Sequence, residues 1–273
     1  MKSSEHKKAL TCAVEAARAA GKMMSDNLRS TKKINEATLH DIKLELDVRC
    51  QKRIEATLRR AFPSVAILGE EGIVGDPESE ARWVVDPIDG TVNFFYGIPH
   101  ACVSIALQVR LKSGAFQTVV GVVFDPFCDD LWTAIRGQPA RLNGKPIRVS
   151  QRGKLGEAIV ALGFAKQKFT LNLMLPTFNG LIHRVRKVRI MGAAALSMVY
   201  VASGRMDAYV EYGLRLWDIA AGGLILECAG GEHWNEPVAG EYAYQIVANN
   251  GRLRKQIEAV ARSSKLKRRS GKA

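Results

Sequence analysis

The amino-acid sequence predicts an α/β fold in which helices pack on mixed β-sheets. Helix-type and strand-type hydrophobic patterns alternate along the 273 residues, which is the first observation. The second is composition, because 47% hydrophobic and 25% charged residues are typical of a globular protein with its own core. The chain is long enough for one two-lobed domain or for two small domains.

The first half begins with two helices. Alanines and methionines recur at helical spacing over 4–29, which predicts an amphipathic first helix. A second helix is predicted over 47–61 and ends before Pro63. Asn143-Gly144 predicts a two-residue turn between strands. Apolar, β-branched runs predict strands at 65–69, 82–86, 102–110, 118–124 and 130–135.

The second half repeats this alternation. Another helix is predicted to begin at Asp218 and to stop at the Gly230-Gly231 pair, as a C-terminal glycine cap would. Strands are predicted near 158–163, 187–190, 207–211 and 244–248, and helices near 170–185, 193–204 and 251–263.

Four carboxylates stand where predicted strands end or helices begin. They are Glu70 in Gly-Glu-Glu, Asp86 and Asp89 in Asp-Pro-Ile-Asp-Gly-Thr, and Asp218 after a tryptophan. Buried together they would repel one another, and hard divalent cations such as Mg²⁺ would remove that penalty. An ordinary Asp-rich turn is the alternative for the second segment alone.

The residues after Asp86 predict a site for a phosphate group. Pro87 is expected to fix a turn that lets Asp86 and Asp89 point into one pocket. The amides of Gly90 and Thr91 are expected at a helix start, where a phosphate oxygen binds readily. Carboxylates beside an anion site suit phosphoryl transfer assisted by metals.

These motifs resemble those of the inositol monophosphatase family, part of the lithium-sensitive, Mg²⁺-dependent phosphatase superfamily. The resemblance covers nearly the whole chain, from about residue 9 to 254. It rests on Gly69-Glu70-Glu71, on 83–94 (WVVDPIDGTVNF) and on 217–231 (WDIAAGGLILECAGG). Cys228 stands where the family usually has another residue.

The resemblance implies a layered αβαβα sandwich of two lobes, with the active site in the cleft between them. The expected division is an N-terminal metal-binding lobe over 1–138 and a C-terminal lobe over 139–262 that supplies Asp218 and substrate contacts. Residues 263–273 are expected to form a basic, disordered tail.

The resemblance also implies a set of metal ligands for two or three Mg²⁺ ions. Glu70, Asp86 and the carbonyl group of Ile88 would bind the first ion, and Asp86 would bridge to a second ion held by Asp89 and Asp218.

The catalytic residues implied are Asp47, Thr91 and Glu70. Thr91, hydrogen-bonded to Asp47, would position the attacking water. Asp41 is an alternative to Asp47. Near Asp47 the chain departs from the family pattern at Leu44 and Gln51, which would tune the environment of Asp47. Glu36 stands in place of a family lysine, which leaves a third metal site open.

Substrate contacts implied by the resemblance lie on both lobes. Gly90 and Thr91 would bind the phosphate group, while Ala193 and Ala194 belong to a small-residue turn that lets the alcohol portion approach. Glu211 would accept a hydrogen bond from a substrate hydroxyl group. An exposed charge at a strand end is the alternative for Glu211.

We therefore expect a Mg²⁺-dependent phosphomonoesterase that hydrolyses a small sugar-alcohol phosphate. Inositol monophosphate is the first candidate substrate. Histidinol phosphate, fructose bisphosphate and phosphoadenosine phosphate are alternative substrates. A nucleic-acid-binding or RNA-machinery-binding protein of the same fold is the non-enzymatic alternative. The family also implies lithium sensitivity and a homodimer.

Other features bear on location and partners. The chain shows no signal peptide or membrane-spanning stretch, and its five scattered cysteines predict reduced core residues of a cytoplasmic protein. The net charge is +13, and basic residues are concentrated after residue 251. That tail is expected either to be merely solvated or to bind nucleic acid weakly and without sequence specificity.

Overall fold

The computed structural model describes residues 3–37, 42–164 and 168–260. The helices are α1 (Ser3–Asn27), α2 (Glu45–Ala61), α3 (Thr91–Phe95), α4 (Lys168–Ile182), α5 (Ala194–Ala202), α6 (Leu216–Cys228) and α7, which covers 254–260. The strands up to the middle of the chain are β1 (Ile34–Ala37), β2 (Ile42–Leu44), β3 (Ala66–Gly69), β4 (Gly72–Val74), β5 (Ala81–Asp89), β6 (Cys102–Arg110), β7 (Phe116–Asp125), β8 (Asp130–Ile135), β9 (Arg141–Leu142) and β10 (Lys145–Pro146). The later strands are β11 (Ile159–Leu162), β12 (Lys187–Arg189), β13 (Ala208–Arg215), β14 (Glu232–Pro237) and β15 (Ala243–Asn249).

Two mixed sheets form the framework. The large sheet has eight strands in the order β10-β9-β8-β7-β6-β5-β3-β4, with β3 and β5 parallel. The small sheet has five strands in the order β12-β11-β13-β15-β14, with β11 parallel to both of its neighbours. Strands β1 and β2 form a separate antiparallel pair.

Helices cover both sheets and fill the space between them. Helices α1 and α2 share one apolar core with the outer face of the large sheet. Helices α5 and α6 lie between the two sheets in a second core. Helices α4 and α7 cover the outer face of the small sheet in a third. The five-layer αβαβα arrangement predicted from the sequence is confirmed.

Most predicted elements are present, with differences at short strands and at one motif. Strand β5 continues to Asp89 instead of turning at Pro87. Asp86 pairs with Ser104 and Asp89 with Cys102, so the strand has one extra residue between these pairs, a β-bulge. The short strands β1, β2, β4 and β14 were not predicted, because they are brief or partly exposed and lack a clear alternation.

The division of the chain into lobes at 138/139 stays a prediction. Strands β9 and β10 extend the large sheet to Pro146. The predicted tail, 263–273, lies outside the described residues, as does the alternative acid Asp41. All five cysteines are free; Cys12, Cys50 and Cys102 are buried, but Cys128 is exposed and not a core residue.

Helix α6 packs very closely on the large sheet. A Cβ atom on Gly121 of β7 would lie 2.9 Å from the carbonyl oxygen of Ala221, so only glycine permits this approach. Strand β5 and helix α6 thereby become neighbours, and together they carry three of the four predicted carboxylate ligands. In the part of the chain that the structure describes, no helix combines the length and apolar character needed to cross a membrane.

Candidate active site

A cavity of about 410 Å³ opens between the two sheets. It is lined by residues that follow β3, end β5, begin α3 and α6, and border β11, β13 and α5. Five carboxylates face it, namely Glu70, Asp86, Asp89, Glu211 and Asp218. Among the described residues that line it, none is Lys, Arg or His. A cavity with five acids and no basic lining group favours a cationic occupant.

Glu70 stands on the tight connection between β3 and β4. Its amide donates to the carbonyl oxygen of Val85 at 3.1 Å, which ties the turn to β5. The buried side chain of Gln51 holds the same turn, since its Oε1 accepts the amide of Glu71 at 2.8 Å and its Nε2 donates to the carbonyl oxygen of Gly72 at 3.1 Å. A Cβ atom on Gly69 would overlap the Gln51 side chain. Gln51, a position at which the chain differs from the family pattern, therefore contacts the turn that carries Glu70.

Asp86 lies at the bulge of β5 and is 2% exposed. Its Oδ1 accepts the amide of Ile88 at 3.0 Å, an interaction that closes the bulge on itself. A hydrogen bond also joins its side chain to that of Glu70. Burial, and then the nearby charges of Glu70, Asp89 and Asp218, hold the pKa of Asp86 well above its usual range.

Asp89 lies three residues further on and has very different partners. Its two oxygens accept the amides of Ala194 and Ala195 at 3.0 and 2.8 Å, at the start of α5. The buried thiol group of Cys102 lies 3.5 Å from Oδ2 and donates to it. Burial raises the pKa of Asp89 to about 6, while these donors lower it and so limit the shift. Asp89 therefore joins the large sheet to helix α5.

Asp218 caps the helix on which it lies. Its Oδ2 accepts the amide of Arg215 at 2.7 Å, in the first turn of α6. Burial, followed by the charges of Glu70 and Asp89, holds its pKa well above the usual range. The hydroxyl group of Ser104 donates to the carbonyl oxygen of Trp217 at 3.0 Å, which fixes the helix start beside β6. Ser104 was not predicted as a site residue, although it lies in a segment that matches the family.

Thr91 and Ile88 are in direct contact. The hydroxyl group of Thr91 donates to the carbonyl oxygen of Ile88 at 2.9 Å, and both residues line the cavity. Within the described residues, the hydrogen bonds of Thr91 do not include the predicted bond to Asp47. Asp47 is buried near the start of α2, where its Oδ2 accepts the amide of Leu44 at 2.7 Å, and it is not a lining residue. The capping bond holds Asp47 at its own helix; a catalytic role for it stays a prediction.

Asn93 is a site residue that the sequence reasoning missed. Its side-chain amide donates to the carbonyl oxygens of His100 and Met191 at 2.9 and 2.8 Å. It thus connects α3, where it lines the cavity, to the segment before α5. Its place in the family motif was the only signal for it. Gly90, which precedes α3, has a positive φ of 95°, and a side chain there would contact the carbonyl oxygen of His100 at 3.0 Å.

The cavity wall formed by α5 and the small sheet contains the contacts predicted for the alcohol portion of the substrate. Ala193 and Ala194 line it, although the amide of Ala194 is already donated to Asp89. Glu211 also lines it, and the hydroxyl group of the buried Tyr209 donates to Oε2 of Glu211. A Cβ atom on Gly163 would overlap the Glu211 carboxylate. Burial raises the pKa of Glu211 to about 7. Glu211 is therefore not the exposed strand-end charge that the sequence left open.

The chemical nature of the side chains in this cavity suits a hard cation. Their donors are carboxylate and carbonyl oxygens, which Mg²⁺ and Ca²⁺ prefer, and the mutual repulsion described above would be relieved by positive charge. Within the described residues, no three His, Cys, Asp or Glu side chains lie close enough to form a ready-made metal cluster. The carboxylates share one cavity; Asp86 and Asp218 also accept amides of their own bulge and helix, whereas Asp89 accepts amides of α5.

The similarity to known proteins extends over most of the chain. Residues 5–265 match the profile of the inositol monophosphatase family. Inositol monophosphatase 3 of Solanum lycopersicum is 37% identical over 256 residues, which cover 90% of this chain and 93% of that protein. Nus factor SuhB of Pasteurella multocida is 38% identical over 230 residues, covering 81% and 83%.

Solved structures show the same fold. The extragenic suppressor protein suhB from Bartonella henselae superposes with a TM-score of 0.85 at 32% identity, and the match covers 93% of this chain and 98% of that one. The IMPase of Thermotoga maritima gives a TM-score of 0.83 at 28% identity, covering 95% and 99%.

Proposed function

Because the chain belongs to the inositol monophosphatase family, we propose that it is a Mg²⁺-dependent phosphomonoesterase acting on a small sugar-alcohol phosphate. Inositol monophosphate is the first candidate substrate. The observation that carries the proposal is the cavity with five carboxylates and no basic group among its described lining residues. A dianionic phosphate ester would not enter such a cavity without cations, so substrate binding and metal binding belong together.

The proposed ligands divide between two elements. Glu70, Asp86 and the carbonyl group of Ile88 would hold one ion, while Asp86, Asp89 and Asp218 would hold a second. When bound, such ions neutralise the phosphoryl oxygens and lower the pKa of a water molecule. The hydrogen bond from Thr91 to Ile88 orients the hydroxyl group along this wall of the cavity. We propose that Thr91 and Glu70 position the attacking water.

The alcohol portion of the substrate would lie against the small sheet. Ala193 and Ala194 leave room beside the backbone, and Gly90 and Thr91 border the place for the phosphate group. Glu211, held by Tyr209, would accept a hydrogen bond from a substrate hydroxyl group.

A panel of phosphate monoesters, assayed with Mg²⁺ and with EDTA, tests this proposal. We expect hydrolysis of inositol monophosphates that needs Mg²⁺ and is inhibited by Li⁺. Preference for histidinol phosphate, fructose bisphosphate or a phosphoadenosine phosphate would change the substrate and keep the chemistry. Full activity in EDTA would refute the metal-dependent reaction.

Relatives named Nus factor SuhB favour a second candidate function. A net charge of +13 suits electrostatic binding to nucleic acid or to RNA-processing machinery. We propose that such binding occurs in addition to the enzyme activity. We also propose that the protein is a cytoplasmic homodimer. Binding of RNA that is the same at low and high salt would contradict the electrostatic mechanism, and light scattering would test the dimer.

A further inference from the structure

A second cavity of about 500 Å³ lies between the large sheet and the opposite side of α6. Its walls come from β5, β6 and β7 on one side and from α6, β14 and β15 on the other. Among the described residues, it shares no lining residue with the proposed active site. The two cavities nevertheless share two elements, because β5 carries Arg82 here and Asp86 there, and α6 carries Glu227 here and Asp218 there.

Arg82 is the charged group most deeply set in this second cavity. It is 5% exposed, and its guanidinium group stacks on the ring of Phe116 at 3.7 Å. Its Nε donates to Gln108 at 2.9 Å, and its Nη1 donates to the carbonyl oxygen of Pro77 and to Glu78 at 3.1 and 3.2 Å. Nη2 takes part in none of the hydrogen bonds of Arg82 among the described residues. Nη2 of the buried Arg82 can therefore still donate hydrogen bonds.

A second guanidinium group stands on the same cavity. Arg136 donates from Nε to the carbonyl oxygen of Thr118 at 2.6 Å, and its Nη2 lies 2.8 Å from Glu227. His233 also contacts Glu227, at 3.1 Å. The described lining residues therefore include two guanidinium groups and one carboxylate. Each guanidinium group has one carboxylate partner, Glu78 for Arg82 and Glu227 for Arg136.

The remaining lining residues are mainly apolar, with a few hydrogen-bonding side chains among them. Gln117 and Asn235 supply amides, and Tyr244 supplies a phenol group. Fixed, partly desolvated guanidinium groups bind planar or tetrahedral oxyanions well, because their donors form a rigid fork. We propose that this cavity binds a small molecule through a phosphoryl or carboxylate group, with Arg82 and Arg136 as the anion-binding residues. This site is separate from the proposed catalytic one and does not rest on it.

Thermal unfolding of the full-length protein in EDTA tests the proposal with inorganic sulfate and with acetate as probes. Without added metal, the carboxylate-lined active site repels anions, so a specific effect must come from elsewhere. Each probe is compared with NaCl at equal ionic strength. We expect a saturable rise in Tm of about 3 °C once the probe exceeds its dissociation constant roughly tenfold. A rise with sulfate indicates a phosphoryl ligand, and a rise with acetate indicates a carboxylate ligand.

Arg136→Gln should remove this rise, whereas Arg59→Gln, the same charge change at an exposed position of α2, should keep it. Asp86→Asn should also keep it, because Asp86 lies in the other cavity. Crystals grown with selenate should show the anomalous signal of selenium beside Arg82. The proposal is wrong if neither probe exceeds the NaCl effect, or if Arg136→Gln responds like the unsubstituted protein.

Discussion

Two aspartates of one motif, Asp86 and Asp89, lie three residues apart on the same bulged strand, but their side chains have different hydrogen-bond partners. Asp89 accepts hydrogen bonds from the start of α5 and from a thiol group, and so links the two halves of the cleft. Asp86 accepts one amide of its own bulge and lies against another carboxyl group. Backbone and thiol donors therefore offset part of the cost of burying ionised Asp89, whereas ionised Asp86 has one backbone donor and three acidic neighbours.

This difference explains why one motif serves both folding and chemistry. Ionised Asp86 is disfavoured by burial and by three neighbouring acids, which is the condition that a bound cation reverses. Asp89 would reach a metal ion while its backbone donors still hold it in place. The comparison predicts that the same substitution, Asp to Asn, has different consequences at the two positions.

The largest expected effect is on turnover. Asp86→Asn or Asp218→Asn should lower kcat by about 10²-fold or more, the loss expected when a contact to developing charge is removed. Steady-state kinetics at saturating Mg²⁺ measures it, with the exposed Asp26→Asn as control. A kcat within about tenfold of the unsubstituted value would contradict the proposed ligand roles.

Metal binding gives a readout that does not depend on activity. Mg²⁺ binds the folded state and should raise Tm in the unsubstituted protein. We expect Asp86→Asn to reduce this rise strongly and Asp26→Asn to leave it unchanged. An equal rise in all three proteins would place the cation away from Asp86.

A smaller effect is expected at the small-sheet wall. Gly163→Ala places a Cβ atom on the Glu211 carboxylate and should displace it, because the two groups would overlap. KM should rise several-fold for a polyol phosphate but not for a phosphate ester without neighbouring hydroxyl groups. Gly153→Ala is the matched control, because a Cβ atom there would meet no atom within 4 Å. Equal KM changes for both esters would remove Glu211 as a hydroxyl-binding group.

Much of this arrangement was predictable from the sequence, for identifiable reasons. Long periodic segments such as α1, β6 and β7 gave their element type directly, and Asp218 was expected at a helix start, where it lies. The bulge at Asp86 was not predictable, because Pro87 indicates a turn as readily as an irregular strand. Pairing with Ser104 and Cys102 decides between them, and pairing depends on residues distant in sequence.

The contacts that position the site residues could not be predicted from the sequence either. Gln51 is an ordinary helical residue in the sequence, yet it holds the turn that carries Glu70. Likewise, nothing near Asp89 indicates that its partners lie more than a hundred residues away at Ala194 and Ala195. These contacts depend on how the two sheets face each other.

Thermal unfolding of Asp86→Asn and Asp89→Asn in EDTA at pH 8 shows whether the two carboxylates differ in their contribution to stability. A carboxyl group with a raised pKa in the folded state costs nothing below its unfolded pKa. Its full cost is reached only above the folded pKa, which is why an alkaline pH is chosen. Asp86→Asn should melt above the unsubstituted protein. Asp89→Asn should melt several degrees below Asp86→Asn, because an amide group leaves one backbone donor of α5 unsatisfied, a cost of about 1–3 kcal/mol. Equal stability of the two variants, or a more stable Asp89→Asn, would contradict the account.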